Sequence, residues 1–112
     1  MIIELTEQDF TRGIIRRAQG SGGMVIFKAD WCGYCVRTLP ELEKVATQTG
    51  TIYPIYKVDV DKNPKITKEL GITGFPTIFF VNRDGSIGDK YIDERSSRKF
   101  LKEICNKTKN CY

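Results

Sequence analysis

The sequence predicts an α/β protein with a central mixed sheet of about five strands and helices on both faces. Three observations predict it. Met24-Val25-Ile26-Phe27 is a continuous apolar run bounded by Gly20-Ser21-Gly22-Gly23, as a strand covered on both faces would be. Strand-like and helix-like segments then alternate, which demands parallel strands joined by crossovers. Finally, Thr77 to Val81 and Ser86 to Tyr91 flank Asp84-Gly85, the pattern of a hairpin that adds antiparallel strands at one side.

Taken in order, Ile2 to Leu5 reads as a short strand. Thr6 with Asp9 three residues later resembles a helix start, and Phe10, Ile14 and Ile15 follow at helical spacing, so a first helix is expected from about Glu7 to Gln19. After the Met24 strand, Leu39, Leu42, Val45 and Ala46 form a helical stripe ending near Gly50, with Pro40 inside it as an expected kink. Ile52 to Asp59 is the next strand, with Pro54 tolerable only near its start. Asn63-Pro64 opens a short helix that Gly71 closes. Ser96 or Ser97 begins the last helix, which turns Phe100, Leu101 and Ile104 inward.

At 112 residues the chain is expected to be one domain, residues 1–112, whose last few residues form a tail. An apolar fraction of 40% beside 29% charged residues is ordinary and names no function. No apolar run is long enough to span a bilayer, so no membrane partner is expected. The net charge of +4 comes from scattered basic residues, apart from Lys99, Lys102, Lys107 and Lys109, which read as a solvated helix face. Nucleic acid is therefore not an expected partner. Two acids among the first seven residues, with no basic segment before an apolar one, give no signal-peptide pattern and favour the cytoplasm.

Cys32 and Cys35 are separated by two residues and lie between a buried strand and the start of a helix. The first-turn amides of a helix lack partners and stabilise an anion placed before them, so a cysteine there becomes a nucleophile near neutral pH. The cysteine one turn later can close a disulfide on it. Zinc is the competing reading. It fails on the remaining cysteines, Cys105 and Cys111, whose spacing is too wide, and on the absence of histidine. No metal and no bound cofactor are expected.

Phe27-Lys28-Ala29-Asp30-Trp31-Cys32-Gly33-Tyr34-Cys35, Val58-Asp59-Val60-Asp61 and Gly74-Phe75-Pro76-Thr77 together resemble thioredoxins and the catalytic domains of protein disulfide isomerases. The resemblance runs from about Leu5 to Ile104 and implies the thioredoxin fold. It implies Cys32 as the attacking and Cys35 as the resolving cysteine. Trp31, with Gly33 and Tyr34, would form the rim that substrates cross. Pro76 would be the family's cis-proline, leaving the Phe75 backbone free to bond an extended substrate segment.

Several positions depart from that pattern. The family's acid six positions before the first cysteine is Ile26 here, so Cys35 either loses its proton by another route or resolves slowly. Lys57 matches the family's buried lysine and lacks that partner; it either leans outward or pairs with Asp59. Lys28 stands where an aromatic is common. It either supplies a cation that tunes the cysteine pair or points to solvent. Tyr34 replaces the proline of thioredoxins and the histidine of isomerases, and Asp93 falls near the substrate rim, where it would disfavour acidic partners.

The function these features imply is a monomeric thiol-disulfide oxidoreductase that reduces protein disulfides. Its partners are disulfide-containing proteins and a reductase or small thiol as electron donor. An oxidising or isomerising role uses the same residues, and a non-catalytic binding module would keep only the fold. Cys105 and Cys111 lie outside the shared pattern. They either close a structural bridge, which requires the last helix to stop before Cys111, or remain thiols, or link two chains.

Overall fold

The computed structural model describes residues 1–112. Its centre is a five-stranded sheet in the order β1-β5-β4-β6-β7. These strands are β1 (Ile3–Leu5), β4 (Gly23–Lys28), β5 (Ile55–Asp59), β6 (Thr77–Val81) and β7 (Ile87–Lys90). The pairs β1–β5 and β5–β4 are parallel, whereas β4–β6 and β6–β7 are antiparallel. This is the mixed sheet that the alternation and the hairpin predict, in the fold that the resemblance implies.

β4 is buried at every residue, which is why it carries apolar side chains on both faces. On one face Met24 and Ile26 pack with Leu42, Val45 and Ala46 of α1 (Gly33–Thr49) and with Phe100 and Ile104 of α3 (Ser97–Thr108). On the other, Val25 and Phe27 pack with Tyr56, Val58 and Ile66, the last from α2 (Pro64–Glu69). α1 runs through Pro40 without a break, and the Val36 carbonyl forgoes the amide that a proline cannot supply. Ser96 caps α3 by accepting the Lys99 amide at 3.2 Å. No helix is long and apolar enough to cross a membrane.

The expected first helix over Glu7 to Gln19 does not form. Thr6 does receive its acid, its amide donating to the Asp9 carboxylate at 2.7 Å, but the helical turn ends at Asp9. Phe10–Thr11 (β2) and Ile14–Ile15 (β3) instead make a small antiparallel hairpin. Arg12 and Gly13 turn it with φ of 52° and 77°, two consecutive left-handed residues that no α-helix accommodates. Ile15 then bonds the Gly85 carbonyl at 2.8 Å, so the hairpin docks against the β6–β7 turn. The helical spacing of Phe10, Ile14 and Ile15 is coincidental; a tertiary bond and a Gly turn outweigh it.

Cys105 and Cys111 form a disulfide with their Cα atoms 4.4 Å apart. The helix stops at Thr108, and Lys109 adopts a left-handed φ of 65°, which swings the tail back. Peptide mapping without reduction should recover the Cys105–Cys111 cross-link. Cys111→Ser should cost stability of about 2 kcal/mol at most, since the loop it closes is short, and leave insulin reduction intact. A large loss of turnover would make this bridge a second redox relay.

Candidate functional site

β4 ends at Lys28, and three residues later the chain enters α1. Cys32 is the N-cap residue of that helix. Its Sγ accepts the Cys35 amide at 3.2 Å, the capping bond that a serine or aspartate oxygen would otherwise accept. The first-turn dipole thus points at this sulfur. Cys32 is 7% exposed and Cys35 not at all, so Cys32 keeps a small accessible area whereas Cys35 is enclosed.

The Phe75–Pro76 peptide is cis, as the resemblance implies, and it faces the pair. The Cys32 thiol donates to the Phe75 carbonyl at 3.5 Å, and the Phe75 amide finds no partner within the chain. Trp31 and Tyr34 are 67% and 61% exposed and flank the cysteine. Trp31 is held on two sides: its Nε1 donates to Asp61 at 2.9 Å, and its ring meets Phe75 edge-on at 5.8 Å. Tyr34 lies under two guanidiniums, Arg37 at 4.7 Å and Arg95 at 5.7 Å. A groove of about 660 Å³ runs from Phe75 and Pro76 past Tyr91 and Ile92 to Asp93 and Arg95. Asp93 therefore lines the groove beside a cation.

Burial is the main cause of a Cys35 thiol pKa pushed up from the usual 9.0 to about 11, aided by its hydrogen bond with Cys32. The Ala29 amide and the Lys28 ammonium act in the opposite direction. Because the folded value lies above the unfolded one, this thiol stabilises the reduced protein below pH 9, and the contribution is lost as pH rises through about 11. The oxidised protein has no such thiol. Reduced and oxidised forms should accordingly diverge in denaturant midpoint between pH 9 and 11, the reduced form weakening; parallel curves would show that Cys35 is not the shifted group.

Of the alternatives left open, Lys57 leans outward and Lys28 turns inward. Lys57 is only half-buried, beside Val36, Leu39 and Pro40, and enters no ion pair. Asp59 does not pair with it, because neighbours on a strand two residues apart lie side by side while register partners meet across the sheet. The register partner of Asp59 is Lys28. Lys28 is buried, donates to Asp30 at 2.9 Å and lies 3.5 Å from Asp59. Burial alone would lower its pKa, but the Asp30 hydrogen bond and the field of Asp59 outweigh that and hold it above the usual lysine range. Asp59 also accepts the Asp61 amide at 3.0 Å, which places the carboxylate that grips Trp31. Sequence reading missed Asp61, Arg37 and Arg95 as rim residues; Arg37 is the i, i+3 neighbour of Tyr34 on α1 and could have been found from spacing, whereas Asp61 and Arg95 arrive only through the fold. No group of three or more His, Cys, Asp and Glu side chains is arranged to hold a metal.

A family model described as Thioredoxin matches residues 1–106. The chain belongs to the thioredoxin family. It is 32% identical over 109 residues to a thioredoxin of Listeria monocytogenes, covering 96% of this chain and 98% of that one. It is 36% identical over 98 residues to protein disulfide-isomerase A3 of Gallus gallus, covering 86% of this chain but 18% of that protein. A human protein disulfide-isomerase A6 is 40% identical over 77 residues, 69% of this chain and 17% of its own length. The chain thus spans about a fifth of these isomerases. Chloroplastic thioredoxin z shares the fold, with a TM-score of 0.77 and 23% identity over 97% of this chain and 96% of that one. Thioredoxin-family membership supports thiol-disulfide chemistry in general terms.

Proposed function

We propose that this thioredoxin-family chain, acting as one domain over residues 1–112, reduces disulfide bonds in proteins. The observation that carries the reading is the Cys32 sulfur at the α1 N-cap, edged by Trp31 and Tyr34 and opening on the Phe75 backbone. A substrate strand lies in the groove beside Pro76, bonding the unpartnered Phe75 amide as an added strand would. The Cys32 thiolate attacks one substrate sulfur, forming a mixed disulfide and releasing the other as a thiolate. Cys35 loses its proton to solvent and attacks Cys32, forming the Cys32–Cys35 disulfide and releasing the second substrate thiolate. The substrate gains two electrons and the cysteine pair gives them up. A partner reductase or a small thiol restores the pair, and no bound cofactor enters the cycle.

The reducing direction follows the likeness to a thioredoxin of Listeria monocytogenes, which this chain matches over 98% of that protein's length. The likeness to the isomerases favours the opposite reading, in which the same residues oxidise or rearrange substrates. Thioredoxin sits near roughly −270 mV and disulfide isomerase near roughly −180 mV, a gap of about 4 kcal/mol. Equilibrating the Cys32–Cys35 pair against glutathione separates them. A value at the thioredoxin end supports the reductant; one at the isomerase end replaces it. Failure to catalyse insulin reduction with dithiothreitol would leave a binding module.

A further inference from the structure

Tyr34 directly precedes Cys35, and two guanidiniums lie over its ring, Arg37 at 4.7 Å and Arg95 at 5.7 Å. Arg37 also reaches the other residue between the cysteines: a Cβ placed on Gly33 would stand 3.7 Å from Arg37 Nη1. Both arginines are exposed, and neither has a carboxylate within ion-pair distance. We infer that this pair selects protein disulfides whose cysteine is flanked by aspartate or glutamate, which makes Arg37 and Arg95 specificity-determining residues. The inference rests on the function proposed above, in which Cys32 attacks a substrate held across Tyr34 and the groove.

Three observations support it. The first is the chemistry of the donors. Arginine stays charged at any pH the fold survives, and its planar fork binds a carboxylate through two parallel hydrogen bonds. Lying over Tyr34 holds each guanidinium beside the cysteine loop while its N–H edge remains available.

The second is their placement. Arg37 stands on α1 itself, whereas Arg95 precedes α3 and lines the groove of about 660 Å³ that runs from Phe75 and Pro76. One cation thus belongs to the cysteine loop and the other to the groove, with Tyr34 between them. A carboxylate beside the scissile disulfide repels the incoming Cys32 thiolate, and these two charges offset that repulsion. They exchange no proton and form no covalent bond.

The third is the balance of charge around them. Asp30 is engaged by Lys28, and Asp61 accepts the Trp31 indole. The charged residues that line the groove are Lys90, Asp93 and Arg95, none of them in an ion pair. Asp93 is therefore the one free acid against Lys90, Arg95 and Arg37. It also confines the preference, because an acid farther along the groove meets Asp93 and is repelled.

Disulfide-linked dimers of a peptide Gly-X-Cys-X-Gly, with X as glutamate, glutamine or lysine, test this in single turnovers with the reduced protein. Each second-order rate is divided by that of the same peptide with dithiothreitol, which removes the peptide's own reactivity. The glutamate peptide should lead the lysine peptide about tenfold at low salt, since each exposed charge contact is worth a few-fold. Arg37→Gln and Arg95→Gln should each reduce that ratio about threefold, and the double variant should bring it near unity. Arg37→Lys/Arg95→Lys keeps the charges and should keep most of the ratio. Sodium chloride at about 0.5 M should shrink the ratio in the parent protein and leave that of the double Gln variant unmoved.

A parent protein with no preference for glutamate, or a preference that survives in the double Gln variant, overturns the inference. So does an equal slowing of all three peptides with the ratio kept, which assigns the arginines to holding Tyr34 alone. Cys32→Ser is the control on the underlying reading. If it reduces the glutamine peptide as fast as the parent, the assigned chemistry fails, whatever the arginines do.

Discussion

Cys32→Ser should lose disulfide reduction altogether, while Cys35→Ser should accumulate covalent adducts with its substrates. A hydroxyl cannot form the mixed disulfide, so the first variant has no route into the cycle. The second variant enters but cannot leave, because no thiolate remains to attack Cys32. The proposed order rests on access and charge. Cys32 reaches solvent at 7% exposure at the head of the α1 dipole, whereas Cys35 is wholly buried. With its pKa near 11, Cys35 is ionised to only about one part in 10⁴ at pH 7. A thiol reagent at neutral pH should therefore label Cys32 well before Cys35, read by mass spectrometry of the digested protein. Preferential labelling of Cys35, or mixed disulfides trapped by Cys32→Ser, would reverse the roles.

Phe100→Ala should lower stability by about 3–5 kcal/mol, in the range for removing a buried ring and leaving a cavity. Phe100 is fully buried on α3, its ring 4.6 Å from that of Tyr91, in the cluster that joins α1 and α3 to Met24 and Ile26. Whole-domain stabilities are about 5–15 kcal/mol, so this single side chain holds a large share. The thermal midpoint should drop by on the order of 15–30 °C. At a temperature where the variant is still folded, its rate of Cys32 alkylation should match the parent, since Phe100 packs in a different core cluster from Cys32 and Cys35. A drop under about 1 kcal/mol would mean that the site collapses around the missing ring. Loss of Cys32 reactivity in the folded variant would show that this core positions the α1 N-terminus as well.

Local rules made much of the molecule readable. Asn63-Pro64 starts α2 and Ser96 caps α3 because capping depends on neighbours within one turn. Gly85 turns β6 into β7 with φ of 87°, as Asp84-Gly85 signals. By the same locality, Cys32 and Cys35 were placed at a strand-to-helix junction from an apolar run and a helical stripe. Where locality failed, a distant partner had decided. Arg12-Gly13 carried a hairpin signal, but the Thr6 cap and the Ile14 and Ile15 spacing concealed it; docking of Ile15 on the Gly85 carbonyl resolves the contest. Likewise, spacing alone left Cys105 and Cys111 open, and the left-handed turn at Lys109 closes them.

By itself, then, the sequence determined the kind of chemistry available: a cysteine pair one helical turn apart, a proline segment, and elements whose order permits little but a mixed sheet. These depend on contacts between residues close along the chain. Tertiary structure alone decided which groups surround the pair. The one-rung offset between Ile26–Lys57 and Lys28–Asp59 exists only once β4 and β5 are in register. The same packing turns Lys28 inward, leaves Lys57 half outside, and brings Arg95 over Tyr34 from the segment before α3. Sequence names the charges, but their effect on a thiol depends on distance and burial, and those are set only when the sheet and helices close around them.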